Sequence, residues 1–225
     1  MDGDLIRWGH ELALGAAMTV GLALATLPFG LAFGLAAALA KDSKAAWARG
    51  AAEAYTTIFR GLPELLTLLL IYYGAQILIQ NAGFTLSISP FAAGMIALSL
   101  VFGAYSSEVM LAALHGVERG QIEAAKSFGM APALLFRRVT APQMLRLALP
   151  GLGNNWLVLL KDTSLVSVIA LDDLLRKSFI AAQSTREPFE FYAVACALYL
   201  GMTAISTLII ARAERAAAKG WRPAA

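Results

Sequence analysis

The sequence predicts an all-α integral membrane protein that crosses the bilayer about five times as one domain, residues 1–225. Three observations support this class. The chain has 225 residues, of which 59% are hydrophobic and only 15% are charged, whereas soluble domains carry about 25% charged residues. Five long apolar runs follow one another, and a short, charged, amphipathic segment separates the third from the fourth. One domain of this size cannot bury so many apolar side chains, so lipid must cover them.

The first apolar run covers residues 12–40 and contains no charged side chain. It exceeds the roughly 20 residues that a helix needs to cross the hydrocarbon, so it can cross at a tilt. Pro28 within it predicts a kink or close packing rather than a break. A polar connector with Lys41, Lys44 and Arg49 follows.

Four further spans are predicted, at residues 62–80, 90–114, 147–171 and 191–211. The fourth run differs from the others because Lys161 and Asp162 interrupt it. The apolar stretch before Lys161 would cover only about 21 Å as a helix, so we interpret the whole run as a single span. Polar loops are predicted at 81–89 and 172–190.

The charged segment at 118–138 predicts a short surface helix. One face of it repeats at helical spacing and is built mostly from small side chains, namely Ile122, Ala125, Gly129 and Pro132. Glu123 and Lys126 lie three residues apart on the other side and can pair. Such a helix is suited to docking in a groove of another protein. The alternative, a helix that merely links two spans, stays open on periodicity alone.

The distribution of basic residues orients the spans, because cytoplasmic loops are enriched in Lys and Arg. Thirteen Lys and Arg residues fall on the side that holds the first connector, the charged loop and the C-terminal tail, and four fall on the other side. The pattern predicts an N-terminus outside and a C-terminus in the cytoplasm. Acidic rather than basic residues flank the first run, so we expect it to be retained rather than cleaved as a signal.

Several kinds of chemistry find no support in the sequence. It has no Gly-x-x-x-x-Gly-Lys-Ser/Thr loop for nucleotide phosphates, no basic tract suited to nucleic acid and no recognisable catalytic set. His10 and His115 are far apart, and Cys196 is a lone thiol in an apolar run. We therefore expect no catalytic residue, no metal site and no cofactor.

Polar residues within the apolar runs are the strongest candidates for function, because a charge inside the membrane is costly. Six of them form a stripe along the fourth run, which comprises Asn154, Asn155, Lys161, Asp162, Thr163 and Ser164. The stripe can line a passage for polar solutes, or it can join helices through ion pairs and hydrogen bonds. Both interpretations stay open.

Two glutamates near the ends of runs are further candidates. Glu64 follows Pro63 at the start of the second run, where its carboxylate can attract a cationic substrate or stabilise a helix N-terminus. Glu108 lies near the end of the third run, and there we expect it to pair with a basic side chain at the cytoplasmic boundary.

Six motifs, in this order and spacing, resemble the polar amino-acid branch of ATP-binding-cassette (ABC) importer permeases. They are residues 59–63 (FRGLP), 71–74 (IYYG), 104–108 (AYSSE), 120–125 (GQIEAA), 149–156 (LPGLGNNW) and 160–167 (LKDTSLVS). Within that branch, residues 55–57, Glu64, 153–156 and 184–189 look like the first permease subunit of histidine/lysine/arginine/ornithine and opine importers. Two departures from the family pattern lie near Glu108, namely Leu111 in place of an Arg and Glu118 in place of a Pro.

The resemblance implies a type I permease of the bacterial inner membrane with a periplasmic N-terminus. By this resemblance, the charged loop contains a coupling helix that docks on the ATPase. Its key residues are Gly120, Glu123, Ala124, Ala125 and Gly129. The implied partners are a sister permease subunit, as a heterodimer rather than a homodimer, two cytoplasmic ATPases and a periplasmic solute-binding protein. The expected function is ATP-driven import of polar amino acids, cationic ones foremost, or opines by alternating access.

Two rival functions compete with this one. An ion-coupled secondary carrier would use Lys161 and Asp162 to relay protons, and a membrane scaffold would transport nothing. The chain shows no internal repeat of the kind that many secondary carriers have. The solute itself and the identity of the partner permease are not encoded in recognisable residues.

Overall fold

The structure is a computed structural model that describes residues 2–83 and 87–218, with side chains from Arg7 onward. All regular secondary structure of the described residues is helical. Its elements are α1 (Asp2–Lys41), α2 (Ala46–Gly61), α3 (Glu64–Asn81), α4 (Pro90–His115), α5 (Arg119–Ser127), α6 (Pro132–Leu135), a π-helical turn (Phe136–Thr140), α7 (Ala141–Asp162), a 3-10 segment (Thr163–Ile169), α8 (Leu174–Thr185) and α9 (Pro188–Ala218). The predicted all-α class is confirmed.

Helices α1 and α4 pack along most of their lengths and run in the same direction. Two glycines of α1 make this possible, because a Cβ at Gly30 would lie 2.5 Å from the Phe102 ring and one at Gly34 would lie 3.0 Å from the Ser106 Cβ. Small residues at such crossings let helix backbones approach closely, which is the main source of helix association in a bilayer. This pair is the axis around which the other helices are arranged.

The largest buried cluster joins α1, α3, α4, the end of α7 and the 3-10 segment. Its large buried side chains include Leu22, Leu68, Leu98, Phe102 and Val166. A second cluster packs α8 and α9 against the N-terminal half of α1 around Leu12, Leu174 and Phe191. The two clusters hold the helices on either side of the α1–α4 pair.

The connector after α1 differs from the sequence expectation, because residues that we predicted as a polar connector form α2. The segment is rich in alanine, which has the highest helix propensity. At Leu62 and Pro63 the backbone becomes extended, and the chain bends by 107° into α3. Proline fixes its own φ and disfavours helix at the preceding residue, so the break between α2 and α3 falls at Leu62 and Pro63.

The fourth predicted run also has a different shape. The helix ends at Asp162, and the next seven residues form a 3-10 segment that stops at Ala170, whose φ is +66°. The predicted polar loop at 172–190 is wrong, because most of it forms α8. Asp173 caps that helix by accepting hydrogen bonds from the backbone N–H groups of Leu175 and Arg176 at 3.3 and 3.0 Å.

By length and composition, three helices of the described chain can cross a membrane, in segments Arg7–Lys41, Pro90–His115 and Pro188–Ala218. The bent pair α2–α3 makes a fourth if it counts as one span. Helix α7 carries a mixed polar and apolar surface and is outside this set. The division into five spans with the bounds given above stays a prediction. Lys219 and Arg222, which are predicted to lie on the cytoplasmic side, are outside the described residues.

Candidate functional site

A cavity of about 260 Å³, here called the central cavity, lies between the start of α3, the middle of α4 and the second half of α7. Its polar lining consists of Glu64, Tyr105, Asn154, Asn155 and Asp162, and its apolar lining consists of Leu98, Val101, Phe102, Val158 and Leu159. The cavity therefore combines an apolar wall with a few convergent polar groups, which is typical of small-molecule sites.

The local fold explains how these polar groups converge. Glu64 is the first residue of α3, so the bend after α2 places its carboxylate at a helix N-terminus beside α4. On α7, Asn154, Val158 and Asp162 recur every four residues and so share one helical face. Asn155 is adjacent, and its amide donates a 3.4 Å hydrogen bond to Ser106 Oγ on α4.

The structure separates the predicted polar residues into two groups. Glu64, Asn154, Asn155 and Asp162 line the cavity, whereas Lys161 is exposed on another side of α7. The Thr163 hydroxyl is buried and donates to the Leu160 carbonyl at 2.8 Å, so it satisfies a helix end rather than facing the cavity. Ser164 is half-buried and is not part of the cavity lining. The roles of all six stripe residues in transport stay predictions.

The electrostatic character of the cavity follows from its lining. Two carboxylates, Glu64 and Asp162, face it, and no Lys or Arg is among its lining residues. Although Lys161 and Asp162 are neighbours in sequence, no ion pair within 4 Å joins their side chains among the described residues. The cavity is thus suited to a cationic group flanked by amide donors and acceptors.

A cluster of charges joins three helices next to this cavity. Lys41 at the end of α1 donates to Glu108 Oε1 on α4 at 2.6 Å, and Arg60 at the end of α2 donates to the same oxygen at 2.8 Å. The predicted pairing of Glu108 with a basic residue is confirmed. The Arg60 guanidinium also lies 5.7 Å from the centre of the Tyr105 ring, and Tyr105 lines the cavity. The cluster therefore connects the bend at residues 61–63 to the cavity wall.

Replacing Glu108 should lower stability. Glu108→Ala leaves the Lys41 ammonium, whose side chain is only 9% exposed, without its partner. Because the carboxylate itself is 36% exposed, we expect the free energy of unfolding to fall by about 1–2 kcal/mol rather than by the larger cost of breaking a fully buried pair. Chemical unfolding of the purified protein in detergent measures this free energy. Asp42→Ala, which removes an exposed pair with His115, is the matched control and should cost less than about 1 kcal/mol.

The double variant Lys41→Ala/Glu108→Ala adds a second check. Since the two groups contact one another, their effects should be non-additive, with the double variant more stable than the sum of the single losses predicts. Additive losses would contradict a direct interaction between them.

The charged segment after α4 forms α5, and its orientation corrects one expectation. Ala125 is only 6% exposed, and Ile122 packs against a buried cluster around Met144 and Ala148. Within the predicted small-residue face, Ile122 and Ala125 therefore turn toward the protein itself, whereas Gly129 and Pro132 are exposed. The outward side carries Glu123, Ala124 and Ser127, and no ion pair between Glu123 and Lys126 is present in this described segment.

Gly129 has a specific backbone role at the end of this helix. Its φ is +73°, its N–H donates to the Lys126 carbonyl at 2.9 Å, and the Met130 N–H donates to the Ala125 carbonyl at 3.2 Å. This pair of bonds is a Schellman motif, in which the left-handed residue is usually glycine. Gly129 therefore ends α5 and directs the chain into α6.

Phe128 is a residue of the segment that sequence reasoning missed. Its side chain is 86% exposed, next to the left-handed Gly129. Exposed aromatic side chains with this geometry are common anchors of protein interfaces. The sequence did carry a signal for Phe128, because it is an aromatic residue in a segment otherwise made mostly of polar and small residues.

A second charged cluster joins α8 to the opposite end of α1. Lys177 Nζ donates to Glu11 Oε2 at 2.8 Å and lies 3.6 Å from Asp172 Oδ2. The hydrogen bond to Glu11 raises the pKa of Lys177 above its usual value. Burial raises the pKa of the capping residue Asp173 to about 6. These contacts hold α8 against α1 at the end of the bundle where the chain begins.

The fold and the site together define a helical membrane subunit with a polar central cavity and an exposed amphipathic helix. Residues 30–218 match the family model described as "Binding-protein-dependent transport system inner membrane component". The chain belongs to this family. It is a multi-pass inner-membrane permease subunit of an ABC importer rather than an enzyme, and ATP hydrolysis and substrate capture belong to partner subunits. The predicted resemblance is confirmed.

Curated relatives and a solved structure agree with this membership. The chain is 44% identical over 234 residues to the nopaline transport system permease protein NocQ of Agrobacterium fabrum, and the aligned region covers 99% of each chain. It is 42% identical over 221 residues to the arginine ABC transporter permease protein ArtQ of Escherichia coli K12, which covers 90% of this chain and 93% of that one. A crystal structure of an amino acid ABC transporter with histidines has a TM-score of 0.82 at 35% identity and covers 94% and 96% of the two chains.

Proposed function

We propose that this chain is the membrane subunit through which an ATP-driven importer moves cationic amino acids or opines into the cytoplasm. The observation that carries this proposal is the central cavity, into which α3 and α7 each bring one carboxylate, Glu64 and Asp162. The names of the relatives point the same way, since they are permeases for nopaline and for arginine.

The cavity chemistry fits such solutes. A guanidinium or ammonium group would bind the two carboxylates through charge-assisted hydrogen bonds. The amides of Asn154 and Asn155 would bind the backbone-like amino and carboxylate groups that all these solutes share. The apolar wall formed by Val158, Leu159 and Phe102 would contact the aliphatic part of the side chain.

The coupling to ATP would occur at α5. Its outward residues Glu123 and Ala124, together with Phe128 and Gly129 at its end, are the surface that we assign to a cytoplasmic ATPase. Ala125 and Ile122 would transmit the movement of α5 to α7, because they face the protein interior. This division of the helix into an outward docking side and an inward side is a coherent basis for coupling.

The full assembly would contain two permease subunits, two ATPases and a periplasmic solute-binding protein. One chain supplies a cavity wall from α3, α4 and α7 and too little protein to enclose a pathway, so a second permease subunit must close it. We propose a sister subunit rather than a second copy, with the N-terminus in the periplasm and the C-terminus in the cytoplasm.

Alternating access would use the bend between α2 and α3. Arg60, near the end of α2, contacts Glu108, and Glu64, four residues later at the start of α3, lines the cavity. A change of the angle between the two helices would move the Glu64 carboxylate relative to the Glu108 cluster. ATP would favour one of the two states by binding the ATPases with different affinity in each.

Uptake in proteoliposomes tests the proposal. The complex with its ATPase and binding protein should accumulate radiolabelled arginine only when ATP is supplied, and a proton ionophore should not lower the rate. Uptake that persists without ATP and collapses with the proton gradient would instead establish the ion-coupled carrier. Absence of uptake for every cationic amino acid and opine tried, with neutral amino acids transported, would contradict the assigned substrate class.

A further inference from the structure

A second and larger cavity lies at the end of the bundle, between α5 and the ends of α1 and α4. Its volume is about 630 Å³. The wall on the bundle side is formed by Leu39 and Asp42 at the end of α1 and by Leu114, His115 and Val117 at the end of α4. The cavity therefore lies beside the ends of two helices that are long and apolar enough to cross a membrane, and it is distinct from the central cavity.

The lining combines basic and apolar side chains in a particular way. Arg119, Ile122 and Lys126 recur at helical spacing along α5, so they share the face that lines the cavity. The remaining lining is mostly apolar and consists of Met130, Pro132, Leu135, Phe136 and Thr140. The last two belong to the π-helical turn, and such turns are frequent at functional sites.

The charges of this cavity are not balanced within the described chain. Asp42 lies 3.0 Å from His115 Nε2, so its carboxylate is already engaged. Arg119 and Lys126 form no ion pair within 4 Å with any described residue. Two exposed cations beside a mostly apolar lining suit a ligand with an anionic head and a hydrocarbon body.

We propose that this cavity binds an anionic phospholipid of the surrounding leaflet. The headgroup phosphate lies between Arg119 and Lys126, and the acyl chains follow the apolar wall toward Leu39 and Leu114. Basic pockets beside membrane-crossing helices at the cytoplasmic surface are suited to such headgroups. The orientation proposed above places the cavity in the cytoplasmic leaflet, but the lipid chemistry follows from the lining alone. A bound lipid would connect α5 to both α1 and α4.

The proposal is tested by lipid retention on the intact complex, with ATPases and sister permease present. The complex is equilibrated with phosphatidylglycerol and phosphatidylcholine in equal amounts and purified in detergent, and the retained lipid is quantified by mass spectrometry. The wild-type complex should retain phosphatidylglycerol in preference. Arg119→Ala/Lys126→Ala should weaken that retention about 30-fold, since each basic side chain near a membrane surface contributes roughly 1 kcal/mol.

Two further variants separate a built site from general surface charge. Arg137→Ala/Arg138→Ala removes the same charge from the adjoining π-helical turn without touching the lining, and it should leave retention within about twofold of wild type. Met130→Trp adds a bulky side chain to the lining and narrows the cavity without changing the charge, and it should weaken retention of the lipid.

Several outcomes would overturn the proposal. They are an equal retention of both lipids by the wild-type complex, an equal loss in the Arg137/Arg138 control, or unchanged retention in Met130→Trp. Displacement of phosphatidylglycerol by millimolar inorganic phosphate would also overturn it, because the site would then recognise a bare anion rather than a lipid. None of these outcomes depends on which solute the importer carries.

Discussion

Gly129→Val is expected to uncouple this permease from its ATPase while leaving the membrane-embedded helices folded. Gly129 holds a φ of +73° at the end of α5, and a β-branched side chain is strongly disfavoured there. The strain, roughly 1–3 kcal/mol, should break the Schellman motif and change the direction in which Phe128 projects. Copurification of the ATPase with the permease and ATP-dependent uptake should both fall by at least about tenfold.

Two companions make this prediction specific. Gly129→Asn keeps a residue type that tolerates the left-handed conformation, so it should retain most of the ATPase association. Gly50→Val places the same side chain on α2, outside the coupling segment, where the backbone is ordinary helix and no atom lies within 4 Å of a new Cβ. If Gly129→Val and Gly50→Val behave alike, or if Gly129→Val copurifies normally, the backbone role of Gly129 in docking is wrong.

Gly129 also shows where sequence reasoning succeeded and where it stopped. The Glu-Ala-Ala and glycine spacing identified the segment, but periodicity placed Gly129 on a docking face together with Ala125. In the structure Ala125 is buried and Gly129 ends the helix. Periodicity reveals which residues share a face, but which face is covered depends on helices distant in sequence, here α4 and α7.

The long helices were predictable for a simple physical reason. A bilayer imposes length and apolarity on a crossing segment, so composition alone predicted most of α1 from the run at 12–40 and nearly all of α4 from the run at 90–114. Helices α2 and α8 are short and mixed in character, and each packs on a longer helix, α2 on α4 through Tyr55 and α8 on α1. A single sequence carries little signal for such elements, because tertiary contacts decide them.

The central cavity was predictable only in part. A polar residue in an apolar run signals function, which identified Glu64 and the stripe on α7. The side to which each stripe residue points depends on where α7 stops, and the change to a 3-10 segment after Asp162 separates Asp162 from Thr163 and Ser164. Tyr105 lines the cavity and also contacts Arg60, a contact across helices that no spacing encodes.

Glu64→Gln/Asp162→Asn is expected to change the substrate preference of the importer. Both carboxylates line the same cavity, and both replacements keep the side-chain shape while removing the charge. A hydrogen bond to a charged group contributes about 1.5–3 kcal/mol, so the rate of arginine uptake should fall by roughly 10- to 100-fold. Uptake of a neutral amino acid such as glutamine should change far less.

The control variant is Glu53→Gln, which removes an exposed carboxylate from α2 that does not line the cavity. Uptake of both solutes should then stay within about twofold of wild type, because an exposed charge contributes little at physiological salt. Basal ATP hydrolysis by each complex should be measured alongside, since it reports coupling at α5 independently of the cavity. An equal loss of arginine and glutamine uptake in Glu64→Gln/Asp162→Asn, with ATP hydrolysis intact, would mean that these carboxylates support the helix packing rather than select a cation.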